Sequence, residues 1–220
     1  VSSRNYMVFE DLQICFIHIP KCGGTSVTSE YLMSRNIRNF FGKTWRTGLE
    51  VQFDRAIGRK GDRQVLHNMH ADADQYYPVF REYDMVTQVR NPYDRFASAY
   101  KHLHSIELVD TPFVEWVPRA IESLYTGNWS ASLDAGHQYI QHLHIVNPGF
   151  DASILFKHQY SYLRPEVEVH KLEEGTIWER LGIERGFHNV SQKHYETEYS
   201  IQNSILVRDY YERDFEELGY

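Results

Sequence analysis

A glycine turn with a lysine in front of it is the strongest chemical signal near the start of the chain. It follows the apolar run 14–19 and reads Pro20-Lys21-Cys22-Gly23-Gly24-Thr25-Ser26. A helix is predicted directly after it, and the free N–H groups and dipole at a helix start favour an anion. Gly23 and Gly24 let the backbone approach closely, and Lys21 adds a mobile positive charge. The stretch therefore predicts an oxyanion site, with an ordinary strand-to-helix turn as the alternative.

A second cation stands where another strand is predicted to end. Arg90 follows the apolar run 85–89, and Ser98 lies in the opening turns of the next predicted helix. Open α/β sheets bind ligands at the carboxyl ends of their strands, and the planar fork of arginine donates two hydrogen bonds to a phosphate. The alternative is a structural arginine paired with Asp94. Taken together, the two sites predict a ligand with two separate anionic groups.

The elements that must position these residues alternate along the chain. Short apolar runs separated by helical periodicity predict the α/β class with a mainly parallel sheet. The predicted strands are 14–19, 64–70, 85–89, 153–156 and 167–172. The predicted helices with defined bounds are 25–35, 135–145, 176–181 and 201–218. Two further helices are predicted from their starts: one is capped by Asp94, and the other has Thr111 as its cap and Pro112 at its first position. Residues 127–134 are predicted to be a loop.

An ordinary nucleoside triphosphate fits these residues poorly. The phosphate-loop pattern of NTPases places its lysine after the glycines, whereas Lys21 precedes them. Such enzymes also need an acidic strand end to hold Mg²⁺, and here the strand ends in Arg90. A nucleotide kinase or NTPase with a degenerate loop stays as one alternative. A module that binds anions or glycans without catalysis is the other.

Three stretches resemble the sulfotransferases that use 3′-phosphoadenosine 5′-phosphosulfate (PAPS) and release the bisphosphate PAP. Residues 19–26 look like the 5′-phosphosulfate loop of that family, and residues 90–100, Arg90 to Tyr100, look like its 3′-phosphate motif. Residues 210–220 resemble the closing helix of the glycan branch, the heparan sulfate type. The resemblance implies a P-loop-like, three-layer fold with helices flanking a central sheet, and in-line transfer of a sulfuryl group without a metal.

The resemblance also assigns roles to individual residues. It implies that Lys21 binds the sulfonate end and stabilises the leaving phosphate, and that Arg90 and Ser98 hold the 3′-phosphate. The residues implied to cradle the 5′-phosphate are Cys22, Gly23, Gly24, Thr25 and Ser26. A polar loop before the last predicted helix would come near the nucleotide through Ser191 and Lys193.

A general base must take the proton of the acceptor. His70 is the candidate, since it ends the predicted strand 64–70 and Met69-His70-Ala71-Asp72 resembles the His-Ala-Asp segment of heparan sulfate 6-O-sulfotransferases. Its side chain has an ordinary pKa near about 6.5, which suits a base at neutral pH. His67 is the second candidate. The histidines at 137, 142 and 144 have no acidic or cysteine companions at metal spacing, so no metal site is predicted.

Composition narrows the possible partners. The 220 residues carry a net charge of −7, which argues against general nucleic-acid binding, yet the segment 35–63 alone carries +5. A basic insertion in an acidic protein suggests an anionic ligand or acceptor, with a solvated loop as the alternative. No run is long and apolar enough to span a bilayer. The acceptor is expected to be a carbohydrate or a small molecule, and neither its identity nor the oligomeric state follows from the sequence.

One sulfotransferase domain is predicted over residues 1–220, with 35–63 as a basic, loop-rich insertion. The two cysteines, Cys15 and Cys22, form no disulfide framework, which favours a reducing compartment. We therefore expect a cytoplasmic location. A lumenal Golgi location is the alternative if an N-terminal anchor precedes residue 1.

Overall fold

The computed structural model describes residues 8–35, 81–134, 152–186 and 196–220. The predicted strand 64–70, the predicted helix 135–145 and nearly all of the basic insertion lie outside these ranges. The chain divides into two compact units, the first formed by Val1–Val89 and Ser161–Val190 and the second by Arg90–Tyr160 and Ser191–Tyr220. Each unit is described by itself, and the prediction of a single domain stays a prediction.

The first unit contains the sheet. Its described strands are β1 (Val8–Phe9), β2 (Ile14–Ile17), β3 (Asp84–Val89) and β4 (Glu168–Lys171), arranged in that order. β2, β3 and β4 are parallel, while β1 joins β2 in the antiparallel sense. The helices of this unit are α1 (Gly24–Ser34) and α4 (Thr176–Leu181), and a 3₁₀ turn covers Glu10–Leu12.

Continuous burial explains why β2 and β3 form the centre of this sheet. All four residues of β2 are buried, as are the last five of β3. Strands covered on both faces read as unbroken apolar runs, and these runs were the signal used to predict them. The register pairs Ile14 with Asp84 and Ile17 with Thr87, so both strands end at the same edge of the sheet.

The second unit is helical among its described residues. Its helices are α2 (Pro92–Ser105), α3 (Phe113–Thr126), α5 (Ile201–Tyr210) and α6 (Glu212–Leu218), with 3₁₀ helices at Trp129–Ser132 and Ala152–Phe156. A third 3₁₀ helix, Gln159–Tyr162, begins in this unit, and its last two residues are assigned to the first. Phe96 lies at the centre of its core, with its ring 5.5 Å from Trp116 and 5.1 Å from Phe156. The α/β class with three parallel strands in one open sheet and helices around it is thereby confirmed.

Four kinds of local prediction in the second unit were wrong. The run 153–156 lies in a 3₁₀ helix instead of a strand, because a short apolar run has no period that separates the two. The predicted loop 127–134 contains the 3₁₀ helix Trp129–Ser132. The predicted helix 201–218 is two helices that meet at Tyr211, where φ is −101° and the side chain is anchored by its hydroxyl to the Phe156 carbonyl at 2.8 Å.

The fourth error concerns helix starts. Asn91, and not Asp94, caps α2, and its side chain accepts from Tyr93 N at 3.0 Å. Pro92 then occupies the first helical position, where a missing N–H costs nothing. At α3 the cap is Pro112 itself, which has no side-chain acceptor. The carboxylate of Asp134 instead accepts from the N–H groups of Asp110 and Thr111, each at 2.7 Å.

Candidate functional site

The turn after β2 takes a left-handed path at two residues. Lys21 has φ 66° and Gly23 has φ 81°, while Cys22 N donates to Ile19 O at 3.3 Å. Glycine adopts this region freely, whereas a lysine seldom does. Backbone held in such a conformation is typical of functional turns. The sequence predicted the glycine turn, but it gave no sign that the lysine itself would be left-handed.

This turn exposes a set of N–H groups at the start of α1. The Gly23 carbonyl accepts from Ser26 N at 2.9 Å and from Val27 N at 3.3 Å. Within the described ranges, the N–H groups of Gly23, Gly24 and Thr25 donate to no acceptor. Together with the positive end of the α1 dipole, these donors form a site suited to an oxyanion.

Both glycines are required by what lies behind them. A Cβ on Gly24 would overlap the buried ring of His18, which packs beside Phe16 with ring centroids 6.4 Å apart. A Cβ on Gly23 would lie 2.9 Å from Gln88 Oε1 and 3.0 Å from Leu172 Cδ1. The turn is therefore pressed against the sheet edge, and only glycine fits at either position.

Gln88 is an unusual residue to find beneath this turn. It lies on β3 and is 1% exposed, and within the described ranges neither polar atom of its amide has a hydrogen-bond partner. An unpaired buried amide costs about 1–3 kcal/mol, so native structures contain few of them. Its amide lies directly behind Gly23. Sequence reasoning missed it, since an apolar strand with one glutamine has no local signature.

The side chains of the turn differ in how much they can offer a ligand. Lys21 and Thr25 are partly exposed, whereas Ser26 and Cys22 are buried. The Cys22 thiol donates to the Pro20 carbonyl at 3.7 Å. We therefore expect Lys21 and Thr25 to reach a ligand with their side chains, and Cys22 to take part through its backbone.

Arg90, the second predicted anion-binding residue, is the first residue of the second unit. Its N–H donates to Gln159 Oε1 at 2.9 Å, and its carbonyl accepts from Gln159 Nε2 at 2.8 Å. Ser98 is partly exposed and lies about two turns into α2. Gln159 was not found from sequence, because the contact spans 69 residues and a lone glutamine gives no pattern.

Aromatic packing fixes the start of α2. The Tyr199 hydroxyl donates to the Tyr93 carbonyl at 2.8 Å, and the Tyr93 hydroxyl donates to the Ser204 carbonyl at 3.2 Å. Burial raises the pKa of Tyr199 well above its usual value, with Asp94 adding to the effect, so this hydroxyl stays a donor at neutral pH. The helix that carries Ser98 is thus held at its first turn.

The structure places the predicted residues in two groups and leaves some undescribed. The turn residues 21–26 belong to the first unit, and Arg90 and Ser98 belong to the second. The remaining predicted residues lie outside the described ranges: His67, His70, Ser191 and Lys193.

Among the residues described, no group of three or more His, Cys, Asp or Glu side chains could hold a metal ion, and none of the helices is long and apolar enough to cross a membrane.

Comparison with known proteins gives one match. The model of a family described as the sulfotransferase family matches residues 4–141, which include the glycine turn, Arg90 and Ser98. Searches of curated proteins and of solved structures found no match.

Proposed function

Since the chain belongs to the sulfotransferase family, we propose that it moves a sulfuryl group from PAPS to an acceptor hydroxyl on a carbohydrate or a small molecule. The observation that carries this proposal is the turn before α1. Three N–H groups without an acceptor in the described chain follow a lysine, and two glycines let this turn pack closely against His18 and Gln88. This arrangement fits the 5′-phosphosulfate group of PAPS.

In this proposal each residue has a separate task at the donor. PAPS supplies the sulfuryl group, whose bond to the bridging oxygen breaks as the acceptor oxygen bonds to sulfur. Lys21 neutralises the charge that develops on the bridging oxygen, and the N–H groups of Gly23 and Gly24 bind the 5′-phosphate. Transfer of this kind depends mainly on positioning and on stabilising the leaving oxygen, which a lysine and backbone donors can supply.

The second anion site would hold the 3′-phosphate. Arg90 is proposed to bind it through its guanidinium and Ser98 through its hydroxyl, with Ser191 and Lys193 as further contacts. The support is that Arg90 directly follows the buried strand β3 and that Ser98, on α2, is partly exposed. The planar fork of an arginine donates two hydrogen bonds to a phosphate.

His70 is proposed as the general base that removes the proton of the acceptor hydroxyl. The support comes from its sequence context, Met69-His70-Ala71-Asp72, and from the ordinary pKa of histidine, which suits this role at neutral pH. The same segment, the closing residues 210–220 and the basic stretch 35–63 favour a carbohydrate acceptor, and in particular an anionic one.

The proposal is tested by transfer of labelled sulfuryl from PAPS to a panel of glycans and small hydroxyl compounds. We expect Lys21→Ala and His70→Ala each to lower turnover by about 100-fold or more, because each removes charge stabilisation or proton transfer at the reacting atoms. Lys101→Ala, which removes a lysine on α2, is the matched control and should keep normal turnover. Near-normal rates in both of the first two variants would contradict the mechanism.

A further inference from the structure

Just beyond the end of β3, the backbone of Arg90 is hydrogen-bonded to the side chain of a glutamine. β3 ends at Val89, and the next residue, Arg90, bonds through its N–H and its carbonyl to the side chain of Gln159. The amide oxygen accepts from Arg90 N and the amide nitrogen donates to Arg90 O, so the two bonds close a ring around one residue. Gln159 is fully buried, which makes loss of this pairing costly.

Gln159 is in turn held by the closing helix. The carboxylate of Asp214 accepts from Gln159 N at 2.9 Å and from Tyr160 N at 3.0 Å. Asp214 lies on α6 and is fully buried, and hydrogen bonds from backbone N–H groups to a carboxylate are among the stronger ones in proteins. A chain of hydrogen bonds therefore runs from the last helix through Gln159 to the backbone of Arg90.

We propose that Gln159, anchored by Asp214, is a positioning residue that fixes the backbone of Arg90 so that its guanidinium meets the 3′-phosphate of PAPS. This inference rests on the proposed function. Bidentate binding of a phosphate requires the guanidinium to approach from a defined direction. Because the arginine side chain is long, that direction is defined only if the backbone of the residue is fixed. A buried glutamine that pairs with both backbone groups of a single residue supplies that restraint without touching the ligand.

The test compares two ligands that differ in one phosphate. PAP carries the 3′-phosphate and adenosine 5′-phosphate lacks it, so the ratio of their dissociation constants reports on Arg90. In the wild-type protein we expect PAP to bind at least about tenfold more tightly. Gln159→Met should weaken PAP binding by about tenfold while changing the affinity for adenosine 5′-phosphate by less than about twofold.

A second variant and a double variant make the test specific to positioning. Asp214→Asn has one amide oxygen in place of the two carboxylate oxygens that accept from Gln159 N and Tyr160 N, so it should weaken PAP binding by less than Gln159→Met, and it serves if the methionine variant does not fold. Combining Arg90→Ala with Gln159→Met should weaken PAP binding no further than Arg90→Ala alone. Additive losses would overturn the inference.

The matched control removes a similar bond elsewhere in the same unit. Asn203 is buried, and its amide donates to the Val114 carbonyl at 2.8 Å. Asn203→Leu should lower the melting temperature and leave the ratio between the two ligands unchanged. If Gln159→Met behaves in the same way, its role is structural and the inference is wrong. If the wild-type protein binds PAP no more tightly than adenosine 5′-phosphate, the proposed function fails. If the wild type prefers PAP and Gln159→Met keeps that preference, only the inference fails.

Discussion

At the scale of single residues, the glycine turn is defined by the side chains behind it. Gly24 lies against the ring of His18, and Gly23 lies against the amide of Gln88. The sequence predicted the turn because a lysine, two glycines and two hydroxyl residues stand together. It could not predict Gln88 or Gln159 as supporting residues, since each acts through a contact that local spacing does not encode.

The close approach at Gly24 leads to a prediction. Gly24→Ala should lower the free energy of unfolding by about 1–3 kcal/mol, because the new methyl group overlaps the His18 ring, and it should also weaken PAP binding by displacing the neighbouring N–H groups. Chemical denaturation and calorimetry with PAP measure the two effects. Adding His18→Ala should restore part of both, since it makes room for the methyl group. If Gly24→Ala had wild-type stability and wild-type affinity for PAP, the contact between its methyl group and the His18 ring would have no energetic cost, and this prediction would be wrong.

At the scale of elements, most helices and strands were predicted and their ends were not. The apolar runs located β2 and β3, and the three- and four-residue spacing located α2 and α3. Helix starts depend on individual hydrogen bonds, and the residues just before α3, Asp110 and Thr111, donate to Asp134, which lies beyond the end of that helix. The residues next to Pro112 therefore gave no sign of this contact.

Asp134 makes the start of α3 sensitive to acid. Burial alone would raise the pKa of Asp134, but donors from Thr111, Asp110 and Arg119 outweigh it and lower the pKa to about 2. In the unfolded chain an aspartate has a pKa of about 3.9. Because the folded value is lower, the carboxylate stabilises the fold above the unfolded pKa, and this stability is lost as the pH falls from about 5 to about 2.

We therefore expect Asp134→Asn to lower the free energy of unfolding at pH 7 by about 1–2 kcal/mol, a value reduced for the partial exposure of the pair with Arg119. The difference from wild type should shrink when unfolding is measured at about pH 3 and below. Asp110→Asn is the control, since that side chain is 97% exposed and should matter little. A difference that stays constant with pH would contradict this role of the Asp134 carboxylate.

At the scale of the whole molecule, the described strands form one mainly parallel sheet, the class of sheet that the sequence predicted. The register of β2 and β3 shows that these two parallel strands end at the same edge of it. The antiparallel β1 was not predicted, because two residues are too few to carry a pattern. The family match covers residues 4–141, so assignment of the segments beyond it depends on the structure and on the proposed roles.

The central claim is that the chain binds PAPS as its sulfuryl donor, and calorimetric titration of the wild-type protein with PAP tests it most directly. With divalent metals removed by a chelator, we expect saturable binding at one site that Lys21→Ala and Arg90→Ala each weaken, because the proposed contacts need no metal. The contradicting result would be an absence of PAP binding together with magnesium-dependent hydrolysis of ATP. That outcome would assign the turn to a nucleotide kinase or NTPase.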